Sequence, residues 1–79
     1  MTQPELFDKA KACEEMMRRS TELHVIATYQ RLRDMWIKLA NDSVDMTPEI
    51  LAIEIAGIND MQSKIDAVVQ SKIDAGLDA

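Results

Sequence analysis

The chain has 79 residues and a formal net charge of −5, with one cysteine, Cys13, and one histidine, His24. A chain this short buries only about 60% of its unfolded surface, so a lone monomer is marginally stable. A single cysteine excludes an internal disulfide, and with a single histidine it also argues against a metal cage. We therefore expect no metal and no cofactor, and oligomerisation remains as the common stabilising device.

The charge is distributed unevenly along the chain. Residues 1–40 carry seven Lys or Arg and six Asp or Glu, whereas residues 41–79 carry two lysines and eight acids, giving net charges of +1 and −6. The acidic half disfavours direct binding of nucleic acid and favours a basic protein surface as partner.

Hydropathy indicates a protein outside the membrane. No apolar run approaches the 18 residues of a spanning helix, and the N-terminal stretch MTQPELFDKAK is too charged for a signal peptide. We expect a cytoplasmic protein without membrane contact, folded as a single helical domain over residues 1–79.

The first half predicts one long helix over residues 3–41. Thr2-Gln3-Pro4-Glu5 has the form of a capping box with proline in the first turn, and neither Gly nor Pro occurs between Glu5 and Thr47. An apolar stripe with a mean spacing of about 3.67 residues can be followed through this region. Its members are Leu6, Ala10, Cys13, Met17, Thr21, Val25, Tyr29, Leu32, Trp36 and Leu39. Ser20-Thr21 and Val25-Ile26 lower the helix propensity in the middle, but nothing forces a break.

The second half predicts a connection and then a helix over about residues 48–75. Residues 41–46, NDSVDM, are rich in turn formers, and Thr47-Pro48-Glu49 has the N-cap and first-turn residues of a new helix. On a wheel of about 100° per residue with Glu49 at zero, the apolar residues fall between roughly 100° and 240°. They are Leu51, Ile55, Ile58, Met61, Ile65, Val68, Val69 and Ile73. An acidic ridge, defined as Glu49, Asp60, Asp74 and Asp78, lies within about 20° of zero.

The fold class predicted is an all-α antiparallel hairpin of two long helices. The alternative is a three-helix domain in which Gly57 ends one helix and Asn59 caps the next. We favour continuity because the apolar stripe crosses Gly57 without changing phase, and an isolated glycine costs only about 1 kcal/mol in a helix.

The sequence QSKIDA occurs twice, at residues 62–67 and 70–75. A period of eight residues turns a helix by about 80° beyond two full turns, so the two copies face different ways. We interpret the repeat as helix surface that happens to recur, with a duplicated contact motif as the alternative.

Two antiparallel helices with such wide stripes cannot cover each other completely, so each leaves an apolar flank. The segment ILAIEIAGI, residues 50–58, has isoleucine or leucine around much of the helix circumference. We expect a homodimer that forms a four-helix bundle, or a different protein in the same place. The residues predicted for this self-association or partner binding are Ile50, Ile53, Ile55, Ile58, Tyr29 and Trp36. For Tyr29 and Trp36, packing beneath the second helix is the favoured interpretation.

Four further side chains are of types that take part in acid–base, nucleophilic or redox chemistry. For each of them a structural role is the favoured interpretation. Glu54 and Lys72 fall inside the apolar arc, and we expect Glu54 to pair with Arg31, Arg33 or Lys38 of the first helix or of a second subunit rather than act as an acid or base. His24 is predicted at the rim of the first stripe, and Cys13 as a small buried hydrophobe, with redox pairing between subunits as the minority interpretation.

No glycine-rich phosphate loop, HExxH, CxxC or calcium-loop motif is present. We therefore predict a non-enzymatic protein-interaction module, specifically a small acidic regulator or inhibitor that occludes a basic surface of a larger partner. The alternatives are a structural subunit of a helical oligomer and, less favoured, a small helical enzyme.

Overall fold

The computed structural model describes the backbone of residues 2–78 and the side chains of residues 2–73. Within these limits the chain is all-helical. Helix α1 spans Gln3–Arg19, α2 spans Leu23–Asp42, a short 3-10 turn covers Ser43–Asp45, and α3 spans Pro48–Asp78.

The predicted single helix over residues 3–41 is wrong, because the chain leaves helical geometry between Arg19 and Leu23. Ser20 (φ −91°, ψ 145°) and Glu22 (φ −92°, ψ 126°) have extended backbone. The Ser20 side chain supports the turn by accepting a hydrogen bond from the Glu22 N–H at 3.4 Å. The break lies where Ser20 and Thr21 lower the helix propensity, and reversal there buries one half of the stripe against the other.

α1 and α2 form an antiparallel pair. The Gln3 side-chain amide donates to the carbonyl oxygen of Ala40 at 2.9 Å, which joins the start of α1 to the end of α2. Eight of the ten predicted stripe residues are buried: Leu6, Ala10, Cys13, Val25, Tyr29, Leu32, Trp36 and Leu39. Met17 is half-buried and Thr21, in the turn, is exposed. The stripe therefore identified the core residues correctly, although they belong to two facing helices.

The restart of the helix after the connection is confirmed. The Thr47 hydroxyl accepts a hydrogen bond from the Ile50 N–H at 3.3 Å, as expected of an N-cap residue. α3 then continues through Gly57 to Asp78, so the preference for continuity at Gly57 is also confirmed. The chain has the three helices of the alternative architecture, but the additional break lies at residues 20–22.

α3 runs antiparallel to α2 and is the longest element. Tyr29 and Trp36 of α2 contact Asp66 and Gln62 of α3, so the numbering of the two helices runs in opposite directions. The 31 residues of α3 span about 46 Å, against about 30 Å for α2, and the molecule measures 49 × 19 × 17 Å. Dimerisation stays a prediction, and with three helices in each chain a pair would contain six helices rather than four.

Candidate protein-interaction surface

The aromatic side chains of α2 are enclosed beneath α3, which confirms the prediction that they pack beneath the helix that follows the connection. Tyr29 and Trp36 have no exposed surface, and Ile58 of α3 is only 5% exposed. The Trp36 indole N–H donates to Gln62 Oε1 at 2.9 Å, and the Tyr29 hydroxyl donates to Asp66 Oδ1. These three apolar residues therefore stabilise the core of one chain and are not available on its surface.

Gln62 and Asp66 are the important residues that the sequence analysis missed. A buried indole N–H or phenol O–H needs a hydrogen-bond acceptor. Gln62 falls inside the apolar arc of the helical wheel, at about 220°. A polar residue inside the apolar arc of one helix, facing aromatic residues predicted to be buried on the other, was the sequence signal that indicated such an acceptor.

The N-terminal part of α3 carries the predicted apolar residues that remain at the surface. Ile50 is 50% exposed and Ile53 is 70% exposed, while Ile55 is half-buried. Further along the same flank, Met61 and Val68 are 41% and 42% exposed. We call Ile50, Ile53, Met61 and Val68 the apolar strip. The first fully buried residue of α3 is Ile58, so the chain's own core leaves this flank uncovered.

Acidic side chains border the apolar strip. Glu49 and Asp60 of the acidic ridge are both exposed, and Asp60 lies 3.2 Å from the Lys64 ammonium. The side chains of Asp74 and Asp78 lie outside the described residues. On the helical wheel Ile53 lies at about 40°, between the ridge and the rest of the strip. Apolar and acidic surface are therefore contiguous on α3.

Glu54 is exposed rather than buried in the apolar arc. Two of its predicted partners bind other acids, since Arg33 lies 3.0 Å from Asp34 and Lys38 lies 3.2 Å from Asp42.

Lys72 forms an ion pair with Glu22, which connects the start of α2 to α3. The hydrogen bond from Lys72 lowers the pKa of the Glu22 carboxyl from its ordinary value. His24 lies at the surface, with its Nε2 atom 3.5 Å from Glu22 Oε2. These groups form an electrostatic link between α2 and α3. Their arrangement does not place a nucleophile beside a general base.

Cys13 is fully buried, which confirms its interpretation as a small apolar core residue. Burial, together with the negative charge of Asp66, raises the pKa of the Cys13 thiol to about 11. A thiol with such a pKa is almost entirely protonated near neutral pH and reacts slowly. Burial and the hydrogen bond to Asp66 likewise raise the pKa of Tyr29.

A cleft of about 280 Å³ lies between the α1–α2 turn and the C-terminal part of α3. Its apolar walls include Met16, Val25 and Val69, and its rim carries Arg19 and Lys72. Arg19 lies 3.3 Å from Glu15, and Lys72 pairs with Glu22, so acids neutralise both cations. The cleft therefore lacks the unpaired positive charge that an anionic ligand requires.

Comparisons with protein-family models, with curated proteins and with solved structures gave no match. Across the residues searched, none of the helices combines the length and the apolarity needed to cross a bilayer.

Proposed function

We propose that this protein is an interaction module that catalyses no reaction and binds another protein chain along α3. The observation that most strongly supports this proposal is the exposure of Ile50 and Ile53, at 50% and 70%, in a helix whose opposite side packs on the core. Large apolar side chains exposed one helical turn apart on a small protein are typical of an interaction site.

We propose further that the partner carries an apolar patch bordered by lysines or arginines. Glu49 and Asp60 border the apolar strip, and residues 41–79 have a net charge of −6. Electrostatic attraction would accelerate encounter, and burial of the isoleucines would supply affinity. Occlusion of a basic surface in this way is the action of a small acidic regulator or inhibitor.

The alternative function is that of a structural subunit of a helical oligomer. In that case further copies of the chain cover the apolar strip, and no basic partner is required. Binding through the ridge weakens with salt because exposed charges are screened, whereas apolar assembly does not weaken.

Affinity capture from an extract of the source organism, with matched variants, tests the regulatory proposal. Glu49→Lys combined with Asp74→Lys should release a specifically bound partner, as should Ile53→Glu. The control, Asp8→Lys combined with Asp34→Lys, changes the net charge equally on other helices and should retain the partner. Retention by all variants, or no retained protein with the unmodified chain, would contradict the proposal.

A further inference from the structure

Six positions of α3 recur with the spacing of a coiled-coil seam. They are separated by 4, 3, 4, 3 and 4 residues, the 3.5-residue repeat that keeps one face of a helix against a partner helix. We call this set the seam: Ile50, Glu54, Gly57, Met61, Lys64 and Val68. All six residues are exposed. The seam points about 90° around the helix from the core-facing residues Ile58 and Val69, so α3 can contact its own core and a second helix together.

We propose that the seam binds the seam of a second copy of this chain, with the two α3 helices antiparallel about a twofold axis that crosses the seam at the level of residue 59 along the helix. This inference rests on the proposed function, in which α3 binds protein chains: the second copy covers Ile50, Met61 and Val68, and Ile53 with the acidic ridge is left to bind the basic partner. In a twofold contact, residue i faces residue j and residue j faces residue i. The facing residues are those at equal distances from Asn59 along the chain: Ile50 with Val68, Glu54 with Lys64, and Gly57 with Met61.

Each of these facing pairs is complementary. Ile50 and Val68, which are 50% and 42% exposed in one chain, cover each other at both ends of the contact. Glu54 and Lys64 bring opposite charges together. Met61, the largest seam side chain near the axis, faces Gly57, which has none. Apolar surface, charge and volume thus match in a single register.

The parallel arrangement fails on the same criteria. In a parallel pair each seam residue faces its own copy. Glu54 would then face Glu54 and Lys64 would face Lys64, which places like charges together. Gly57 facing Gly57 would leave a gap. The seam is therefore complementary to itself only in the antiparallel direction.

Gly57 supports this assignment independently. A Cβ atom added to Gly57 would meet no atom within 4 Å apart from its chain neighbours and the surrounding helix backbone, and the φ angle of Gly57 is not positive. Neither packing within the chain nor backbone conformation therefore requires glycine, although glycine lowers helix stability. In the proposed dimer, the Met61 side chain of the second copy fills the open space above Gly57.

Asp60 lies at the edge of the seam, close to the axis, and would approach Asp60 of the second copy. The Lys64 ammonium, 3.2 Å from Asp60 within the same chain, offsets this repulsion. The neutral substitution Asp60→Asn should accordingly tighten the dimer.

A charge-exchange series on the full-length chain tests the proposal, with sedimentation equilibrium as the measurement. The unmodified chain should dimerise with a Kd of roughly 100 µM or less. Glu54→Lys alone and Lys64→Glu alone should each weaken dimerisation about tenfold or more, because each places like charges opposite one another. Because Lys64 also offsets the charge of Asp60, the exchange is made in an Asp60→Asn background, where the double variant Glu54→Lys with Lys64→Glu should restore the affinity to within about threefold.

Asp34→Lys, a charge reversal on α2, is the matched control and should leave the dimer unchanged. All the substituted seam residues are exposed, so circular dichroism should show the same helix content in every variant. A monomeric unmodified chain, or single variants that dimerise as well as the unmodified chain, would overturn the seam contact. A monomer that still captures a partner through Ile53 would overturn the seam contact alone, whereas loss of both activities would also overturn the proposed function.

Discussion

The two copies of QSKIDA in α3 have the same sequence and different surroundings. Ile65 of the first copy is 8% exposed, whereas Ile73 of the second copy is 51% exposed. Lys64 pairs with Asp60 within its own helix, and Lys72 pairs with Glu22 on α2. Eight residues rotate the helix by about 80° beyond two turns, so identical letters face different neighbours. Helical phase, and not local sequence, therefore decides what each residue contributes.

The largest difference is expected between the two isoleucines. Ile65→Ala should lower the free energy of unfolding by about 2–4 kcal/mol, because it removes buried apolar volume and leaves a cavity. Ile73→Ala is the matched control, and its effect should be below about 1 kcal/mol, since half of that side chain is already exposed. Urea denaturation followed by circular dichroism measures both, and equal effects would contradict the difference in burial.

A substitution of Gln62, the first residue of the first copy, should have the next largest effect on the free energy of unfolding. Gln62→Ala removes the acceptor of the buried Trp36 indole N–H and should cost about 1–3 kcal/mol. Ser63→Ala, at the exposed neighbouring position, is the control and should have little effect. In a Trp36→Phe background the cost of Gln62→Ala should fall, because no indole donor remains. An undiminished cost would show that Gln62 acts through other contacts.

Alkaline pH should weaken the fold through the groups that contact the first copy. Cys13 and Tyr29 have pKa values raised above 9.0 and 10.0 in the folded chain, so the unfolded chain loses these protons at lower pH. The contribution of these two groups to the free energy of unfolding should therefore be constant below about pH 8 and fall as the pH rises above about 9. Tyr29→Phe should reduce this dependence. Iodoacetamide at pH 8 should label Cys13 slowly in the folded chain and rapidly in urea.

The smallest difference is expected between the two lysines. Lys72→Gln should lower the stability slightly because it removes a link between the start of α2 and α3, and Lys64→Gln should lower it less because it removes an exposed pair within one helix. Thermal unfolding at low and high salt measures both costs, and both should shrink as salt rises. A larger effect for Lys64 in dilute solution would reverse the expected order.

Much of the candidate surface could be predicted from the sequence, and the residues that were predicted wrongly or missed share one physical cause. The exposure of Ile50 and Ile53 follows from apolar residues placed around the whole circumference of a helix, more than one neighbour can cover. The sequence could not separate Ile58 from these residues, because burial depends on where α2 crosses α3. It also missed Gln62 and Asp66, whose role exists only where the two helices meet.

The sequence by itself determined the all-helical structure, the start of α1 at Gln3, the restart of the helix after Thr47 and most of the buried stripe. These features depend on caps, propensities and a period of about 3.6 residues, all of which act within a few turns. Only the tertiary structure decided that the stripe folds back at Ser20–Glu22. The apolar phase is the same for a continued helix and for a reversed one, and the free energy that distinguishes them comes from the burial of two distant segments against each other.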